Sequence, residues 1–257
     1  MDAICDDLEA EHADLDALVA AASAADLERP TPASGWAVRD QISHLWFFDQ
    51  RAVTAVSDAA AFEADKAILF APGGDPSVAA GRAIDASVLI ERWRLERRVM
   101  VAVLRGLEPK ARIPWYGPAM GARSFATARL METWAHGQDV ADGLGVARVP
   151  TDRLRHVAHI GVGARAFSYA TNGRDVPEGA IRVELTGPSG DTWEWGPTDA
   201  VDVVAGPALD FCLVVTQRRH VDDTALKVTG ALAADWIAIA QAFAGPPGAG
   251  RQPGQFA

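Results

Sequence analysis

Three residues that lie far apart in the chain have the side-chain types and the surroundings expected of a metal site. Glu132 and His136 lie in METWAHGQD and are four residues apart, so a helix would place both on one face. His44 lies among apolar residues in SGWAVRDQISHLWFFDQ. Polar side chains on an inward helix face are costly unless they are paired or bind a metal. Two facing helices could therefore hold a divalent ion between His44, Glu132 and His136. The residues alone leave two alternatives open, a solvated or hydrogen-bonded Glu132–His136 pair and a core histidine at His44.

Two imidazoles and one carboxylate would leave at least one coordination position open, which is typical of catalytic metal sites. This donor set favours Zn²⁺, and it also accepts nickel, iron or manganese. Asp139 lies one turn beyond His136. Its carboxylate could hydrogen-bond to a metal ligand and orient it without touching the metal, or it could lie on a solvated helix face. The sequence favours neither alternative.

Other residues are weaker candidates for a functional site. His156 and His159 share a helix face at a spacing of three residues and form a rival pair. Cys212 lies in the apolar run FCLVV and is interpreted as a core residue rather than a nucleophile. His12 and His220 belong to no recognisable pattern.

The candidate residues fall within a mainly α-helical chain. The spacing of apolar residues predicts four long helices at about 2–26, 38–62, 80–106 and 122–143, with a loop at 71–77. Long helices joined by loops favour an antiparallel four-helix bundle, which we assign to residues 1–148.

The character of the sequence changes after residue 148, and residues 149–257 are expected to form a smaller α+β domain. The two strand-like runs 180–187 and 191–196 flank Pro-Ser-Gly and predict a hairpin. Helices are expected at about 151–170, 199–218 and 233–243, with a short strand at 225–229 and an extended tail.

The composition excludes several classes of function. The 257 residues carry a formal net charge of −10, which argues against binding to nucleic acid or to anionic membranes. Two cysteines cannot form a disulfide framework or a cysteine-based zinc ribbon. The acidic N-terminus does not resemble a signal peptide, and no apolar run is long enough for a membrane span, so we expect a cytoplasmic protein. Abundant Gly, Ala and Arg with little Lys suggest a GC-rich genome, as in actinobacteria.

The segment SGWAVRDQISHL, together with ETWAH, resembles the motifs of the DinB-like superfamily, and more narrowly its mycothiol-dependent maleylpyruvate isomerase branch. The resemblance covers most of residues 1–145. It implies a four-helix bundle in which His44, Glu132 and His136 hold a metal. The C-terminal stretch resembles tails of an uncharacterised actinobacterial group, which have been likened to a domain associated with wyosine base formation.

The resemblance also implies a cofactor, which would be mycothiol or another low-molecular-weight thiol such as glutathione or bacillithiol. A metal with an open position can lower the pKa of such a thiol. We therefore expect a transferase or isomerase that acts on a small electrophilic metabolite. The resemblance also allows a homodimer. Arg218 and Arg219 are candidates for binding the cofactor or a substrate carboxylate, although helix-end charge explains them equally well.

Two other functions remain open from the sequence. One is a metal-dependent hydrolase or cyclase that uses metal-bound water, with Asp139 or His159 as the general base. The other is a metal-binding protein without catalytic activity.

Overall fold

The computed structural model describes residues 1–69, 75–246, 248 and 250–256, so most of the predicted loop at 71–77 lies outside the described residues. The chain divides into two compact units, Met1–Arg148 and Val149–Ala257. The prediction of a mainly helical fold, with an N-terminal bundle before a smaller α+β unit, is confirmed. Within the described residues, no helix is both long enough and apolar enough to cross a membrane.

The first unit is built on four long helices. Its elements are α1 (Asp2–Ala21), α2 (Ala24–Leu27), α3 (Val38–Ser57), α4 (Ala59–Leu69), α5 (Pro76–Arg82), α6 (Ala86–Arg105), β1 (Arg112–Ile113), β2 (Met120–Gly121) and α7 (Ala122–Leu144). Helix α3 packs against α6 and α7, and α1 packs against the same two helices. Leu15, Ile42, Leu45, Trp93 and Val140 meet in the core between them. The two ligand-bearing helices, α3 and α7, are therefore neighbours.

Three of the predicted long helices are each interrupted, because a polar residue inside the predicted range leaves the helical conformation and a new helix begins after it. Between α1 and α2, the Ser23 side chain accepts a hydrogen bond from the Asp26 amide and Asp26 bonds back to Ser23. Between α3 and α4, Asp58 leaves the helical conformation and accepts from the Ala61 amide at 3.0 Å. In the predicted 80–106 helix, Asp85 is extended and precedes α6, so α5 forms a separate short helix.

Helix α5 lies unusually close to α3. A Cβ atom on Gly81 would lie 2.2 Å from the Ser43 Oγ atom, so only glycine allows this approach. The Ser43 hydroxyl also donates a hydrogen bond to the carbonyl of Ser77. This close packing brings the first turn of α5, including Ser77, against the face of α3 that carries His44.

The second unit contains α8 (Leu154–Gly163), α9 (Arg165–Thr171), β3 (Ile181–Thr186), β4 (Thr192–Trp195), β5 (Asp202–Pro207), α10 (Ala208–Val215), β6 (Lys227–Thr229) and α11 (Ala231–Ile237). The strand order is β4-β3-β5-β6. The predicted hairpin is present as the antiparallel pair β3 and β4, whereas β3 and β5 are parallel.

Three predicted helices of this unit differ from the structure. The predicted helix 199–218 is wrong over its first half, because residues of β5, including two valines, pair with two neighbouring strands before α10 begins at Ala208. The predicted helix 151–170 is divided at Ala164, and the last predicted helix covers Ala231–Ile237 rather than 233–243.

Candidate metal centre

The structure brings together the three residues that the sequence predicts as metal ligands. His44 on α3 and Glu132 and His136 on α7 each offer a ligand atom, and these atoms all lie within 4.8 Å of one another. The two imidazole centroids are 4.4 Å apart, and Nε2 of His136 lies 3.3 Å from Oε2 of Glu132. Donors about 2.0–2.2 Å from a zinc ion are separated by roughly 4 Å at most. The observed spacing therefore needs only small side-chain movements to accommodate an ion.

The ring orientation of His136 is set by a chain of hydrogen bonds. Gln41, one turn before His44 on α3, places its Oε1 atom 2.6 Å from Nδ1 of His136. The Gln41 amide donates from Nε2 to Oγ1 of Thr31, whose hydroxyl donates to the carbonyl of Trp36. The Trp36 carbonyl can only accept, so the Thr31 hydroxyl donates to it and accepts from the Gln41 amide nitrogen. The Gln41 oxygen is then the atom that faces His136, and Nδ1 of His136 must carry the proton.

A second chain of hydrogen bonds acts on His44. Nδ1 of His44 lies 3.0 Å from Oγ of Ser77, and the Ser77 hydroxyl donates to Oδ1 of Asp75 at 2.6 Å. The carboxylate of Asp75 also accepts from the Ser77 amide. Because the Ser77 hydroxyl donates its hydrogen to Asp75, the Ser77 oxygen accepts a hydrogen bond from the N–H at Nδ1 of His44.

Both chains leave the Nε2 lone pairs of the imidazoles available for an ion. Histidine metal ligands generally donate their other ring proton to a carboxylate, carbonyl or similar acceptor, which fixes the tautomer. The residues present therefore fit a divalent metal held by His44, Glu132 and His136. The side chain of Glu132 is 21% exposed and that of His136 is 10% exposed, so the ligand set is largely buried but still reachable by solvent.

The loop before α3 supplies part of this arrangement. Gly35 has a φ of +78°, which favours glycine, and the next residue, Trp36, contacts both histidine rings. At the start of α3, the buried Asp40 accepts from the Ala37 amide at 2.8 Å and so fixes the first turn. The residues of the GWAVRD segment therefore begin the helix at the point that places Gln41 and His44 against α7.

Aromatic rings surround the imidazoles. Trp36 stacks on His136 with a centroid distance of 6.0 Å, and Phe48 lies 4.6 Å from His44. Phe48 continues into a cluster with Trp115 and Tyr116. Burial raises the pKa of Tyr116 to about 12, so its phenol is protonated at neutral pH. The rings give the centre apolar walls that limit the access of bulk water.

The other predicted residues have different surroundings. Asp139 is 1% exposed, so its interpretation as a solvated helix residue is wrong. In the second unit, His159 is exposed and receives a 3.4 Å hydrogen bond from Trp195. Arg218 and Arg219 follow α10, where both donate to carbonyls of neighbouring residues. The roles in catalysis or binding that the sequence suggests for Asp139, His159, Arg218 and Arg219 stay predictions.

Sequence reasoning missed the residues that brace the two histidines, namely Gln41, Ser77 and Asp75. Gln41 precedes His44 by three residues, so helical spacing could have identified it as a neighbour on the same face. Ser77 lies 33 residues beyond His44 and has no comparable local signal. The Asp-Pro-Ser sequence does mark a helix start, at which Asp75 accepts from the Ser77 amide.

The fold and this site define a helical-bundle protein with a candidate metal centre between two facing helices. Residues 8–141 match the family model described as the mycothiol maleylpyruvate isomerase N-terminal domain, and the chain belongs to this family. Residues 177–228 match a second model, described as wyosine base formation.

Individual proteins resemble this chain over most of its length. Uncharacterized proteins from two strains of Mycobacterium tuberculosis are 48% identical over 248 residues, which cover 95% of this chain and 96% of each relative. The crystal structure of a mycothiol-dependent maleylpyruvate isomerase matches with a TM-score of 0.57 and 15% identity, over 85% of this chain and 89% of that one. A histidine-to-alanine mutant of that enzyme matches with a TM-score of 0.58 and 15% identity, over 90% and 93% of the two chains. At this identity the structural match establishes the shared fold.

Proposed function

We propose that this protein is a metal-dependent enzyme that uses a low-molecular-weight thiol of the mycothiol type. It is an isomerase of a small electrophilic metabolite, or a transferase that joins the thiol to such a metabolite. The observation that carries the proposal is the convergence of His44, Glu132 and His136, with both imidazoles braced through Nδ1. Membership of the mycothiol maleylpyruvate isomerase N-terminal domain family supports the choice of thiol.

The charge of the donor set suits this chemistry. Two neutral imidazoles and one carboxylate bring one negative charge to a divalent ion, which leaves a net positive centre that favours an anionic fourth ligand. A metal held by these residues would lower the pKa of a thiol at its open position, and the thiolate would supply the nucleophile for reversible addition to an activated double bond. Zinc is the metal we favour, since the site combines imidazole and carboxylate donors.

The chain's own residues hold and orient these groups. Gln41 and Ser77 keep the two imidazoles in the tautomer that presents Nε2. Trp36 and Phe48 pack on the imidazole rings and shield them from bulk water. The protein's two cysteines are buried, and burial raises the pKa of both thiols, so neither is suited to act as the nucleophile. An external thiol is therefore consistent with the residues at the centre.

Cobalt substitution tests the proposal directly. Addition of mycothiol to the cobalt protein is expected to produce a thiolate-to-cobalt charge-transfer band, and the His44→Ala variant is expected to lack it. The His156→Ala variant changes a histidine of the other unit and serves as the matched control. Absence of the band with mycothiol, glutathione and N-acetylcysteine alike would overturn the use of a thiol. Turnover without any added thiol would favour the hydrolase or cyclase alternative instead.

A further inference from the structure

Helix α6 exposes large apolar side chains on the surface of the first unit. Among the described residues of this unit, four large aliphatic residues are exposed, and three of them, Val88, Leu95 and Val99, lie on this one helix. Leu95 is 58% exposed. Single exposed apolar residues are common on protein surfaces, whereas several on one helix indicate a contact surface.

The exposed residues of α6 have the spacing of a coiled-coil helix. Five exposed positions follow one another at intervals of four, three, four and three residues, and they are Val88, Arg92, Leu95, Val99 and Ala102. This alternation keeps them on one narrow face, which we call the α6 stripe. The guanidinium of Arg92 lies over the ring of Trp46, 5.8 Å from its centroid, so this charge is directed to its own bundle. The α6 stripe therefore has the shape and period that fit a second α-helix laid along it.

Two opposite charges lie along one edge of the α6 stripe. Glu91 and Arg98 are seven residues apart, which places them on the same edge, with Leu95 near the midpoint between them. Both residues are exposed. Glu91 accepts from Arg94 at the surface, and Arg98 forms no ion pair within the part of the chain that the structure describes. This edge thus carries a negative charge before Leu95 and a positive charge after it.

This charge pattern complements itself when one helix is reversed. In an antiparallel pair with a twofold axis beside Leu95, the same edges meet, so Glu91 of each copy lies opposite Arg98 of the other. Val88 of each copy then packs near Val99 of the other. Glu96, which is partly buried on the opposite edge, meets Glu96 of the second copy once. The antiparallel pair therefore has two attractive contacts and one repulsive contact.

The parallel orientation lacks this complementarity. Parallel helices bring two different edges together, and the residues that meet across them are about five positions apart in the sequence. Glu91 of each copy would then face Glu96 of the other, and Arg98 would face Val103. The parallel pair would have two repulsive contacts and no attractive one, so the charges favour the antiparallel orientation.

We propose that the α6 stripe binds the α6 stripe of a second copy of this chain in the antiparallel orientation and forms a twofold-symmetric dimer. One helix from each copy makes a small interface, so we expect a dissociation constant in the micromolar range. The candidate metal ligands lie on α3 and α7. The dimer is therefore independent of the proposed thiol chemistry, and either proposal can fail without the other.

Sedimentation velocity of the full-length protein over a dilution series tests the dimer. At high concentration we expect a species of twice the chain mass of 27.2 kDa, which dissociates on dilution. The Leu95→Glu variant places two like charges beside the twofold axis and should raise the dissociation constant at least 100-fold. Val201→Glu, which changes an exposed valine of the second unit, is the matched control and should dimerise as the wild type does. A wild type that stays monomeric at about 200 μM, or a Leu95→Glu protein that dimerises normally, would overturn the proposal.

Charge reversal tests the antiparallel orientation. Arg98→Glu and Glu91→Arg each create two like-charge contacts in the antiparallel pair, so each should raise the dissociation constant about tenfold. The variant that combines both substitutions exchanges the two charges and should recover the wild-type affinity. In a parallel pair, Glu91→Arg alone would tighten the dimer, because it would face Glu96. Tighter binding of Glu91→Arg, or no recovery in the combined variant, would overturn the antiparallel pairing, and melting temperatures establish that each variant is folded.

Discussion

The carboxylate of Asp49 and the guanidinium of Arg129 form a buried ion pair, with 2.7 Å between Oδ1 and Nη2. Asp49 lies on α3 and Arg129 on α7, so the pair joins the two helices that carry the candidate metal ligands. Both side chains are at most 4% exposed. Burial raises the pKa of Asp49 from 3.8 to about 6, although Arg129 opposes this change.

This raised pKa predicts a pH-dependent contribution to stability. The folded protein holds the Asp49 proton more tightly than the unfolded chain does. The stability that protonated Asp49 contributes to the folded protein is therefore fully present below about pH 4 and declines as the pH rises through 6. The total change is about 3 kcal/mol at 1.36 kcal/mol per pKa unit. Urea unfolding of metal-free wild type and Asp49→Asn should therefore show a stability difference that shifts by this order between pH 4 and 6.5. The exposed Asp14→Asn variant is the control, and a difference that does not vary with pH would contradict the raised pKa.

The metal ligands predict a loss of bound metal on substitution. His44→Ala removes one of three donors, so the purified protein should contain far less than one equivalent of zinc by elemental analysis. His156→Ala, in the second unit, should retain the wild-type content. Full retention of zinc in the His44→Ala protein would show that the ligand set is wrong. The comparison also tests the rival pair His156 and His159, because that pair predicts the opposite pattern.

Ser77 is expected to affect the metal without binding it. The Ser77→Ala variant removes the acceptor of the His44 Nδ1 proton while leaving the backbone bond to Asp75 in place. Losing such an orienting partner typically lowers metal affinity 10–100-fold. Competition with a chelator of known affinity measures this change, and Ser87→Ala on α6 is an exposed control. An unchanged zinc affinity in a fully folded Ser77→Ala protein would count against the proposed brace.

Gly81 is expected to be essential for the packing of α5 on α3. The Gly81→Ala variant would place a methyl group 2.2 Å from the hydroxyl oxygen of Ser43, and overpacking of this kind costs about 1–3 kcal/mol. Urea unfolding should show this loss, together with weaker zinc binding, because Ser77 lies on the displaced helix. Gly106→Ala is the matched control, since its added methyl group would meet only an ordinary contact at 3.6 Å. Equal free energies of unfolding for the two variants would show that α5 can shift to accept the added methyl group without loss of stability.

The sequence by itself determined the features that depend on local geometry. The spacing of Glu132 and His136 places them on one face of any helix, and the helix of this segment is present as expected. The mainly helical fold and the family relationship also followed from the sequence, because apolar periodicity and the motif around His44 are local patterns. The interruptions at Asp58 and Asp85 were not recognised, since aspartate is common both within exposed helix faces and at helix starts.

Only the tertiary structure decided which distant side chains meet. Gln41 and His136 are separated by 95 residues, and Ser77 and His44 by 33. Contacts of this kind depend on how α3, α5 and α7 pack, which follows from the combined shapes of many side chains, including the missing one at Gly81. The same reason explains β5, which was predicted to be helical. Its hydrogen bonds with β3 and β6 make it a strand, and these partners are distant in the sequence. The sequence thus identified the candidate ligands, and the packing of the helices determined how they are oriented.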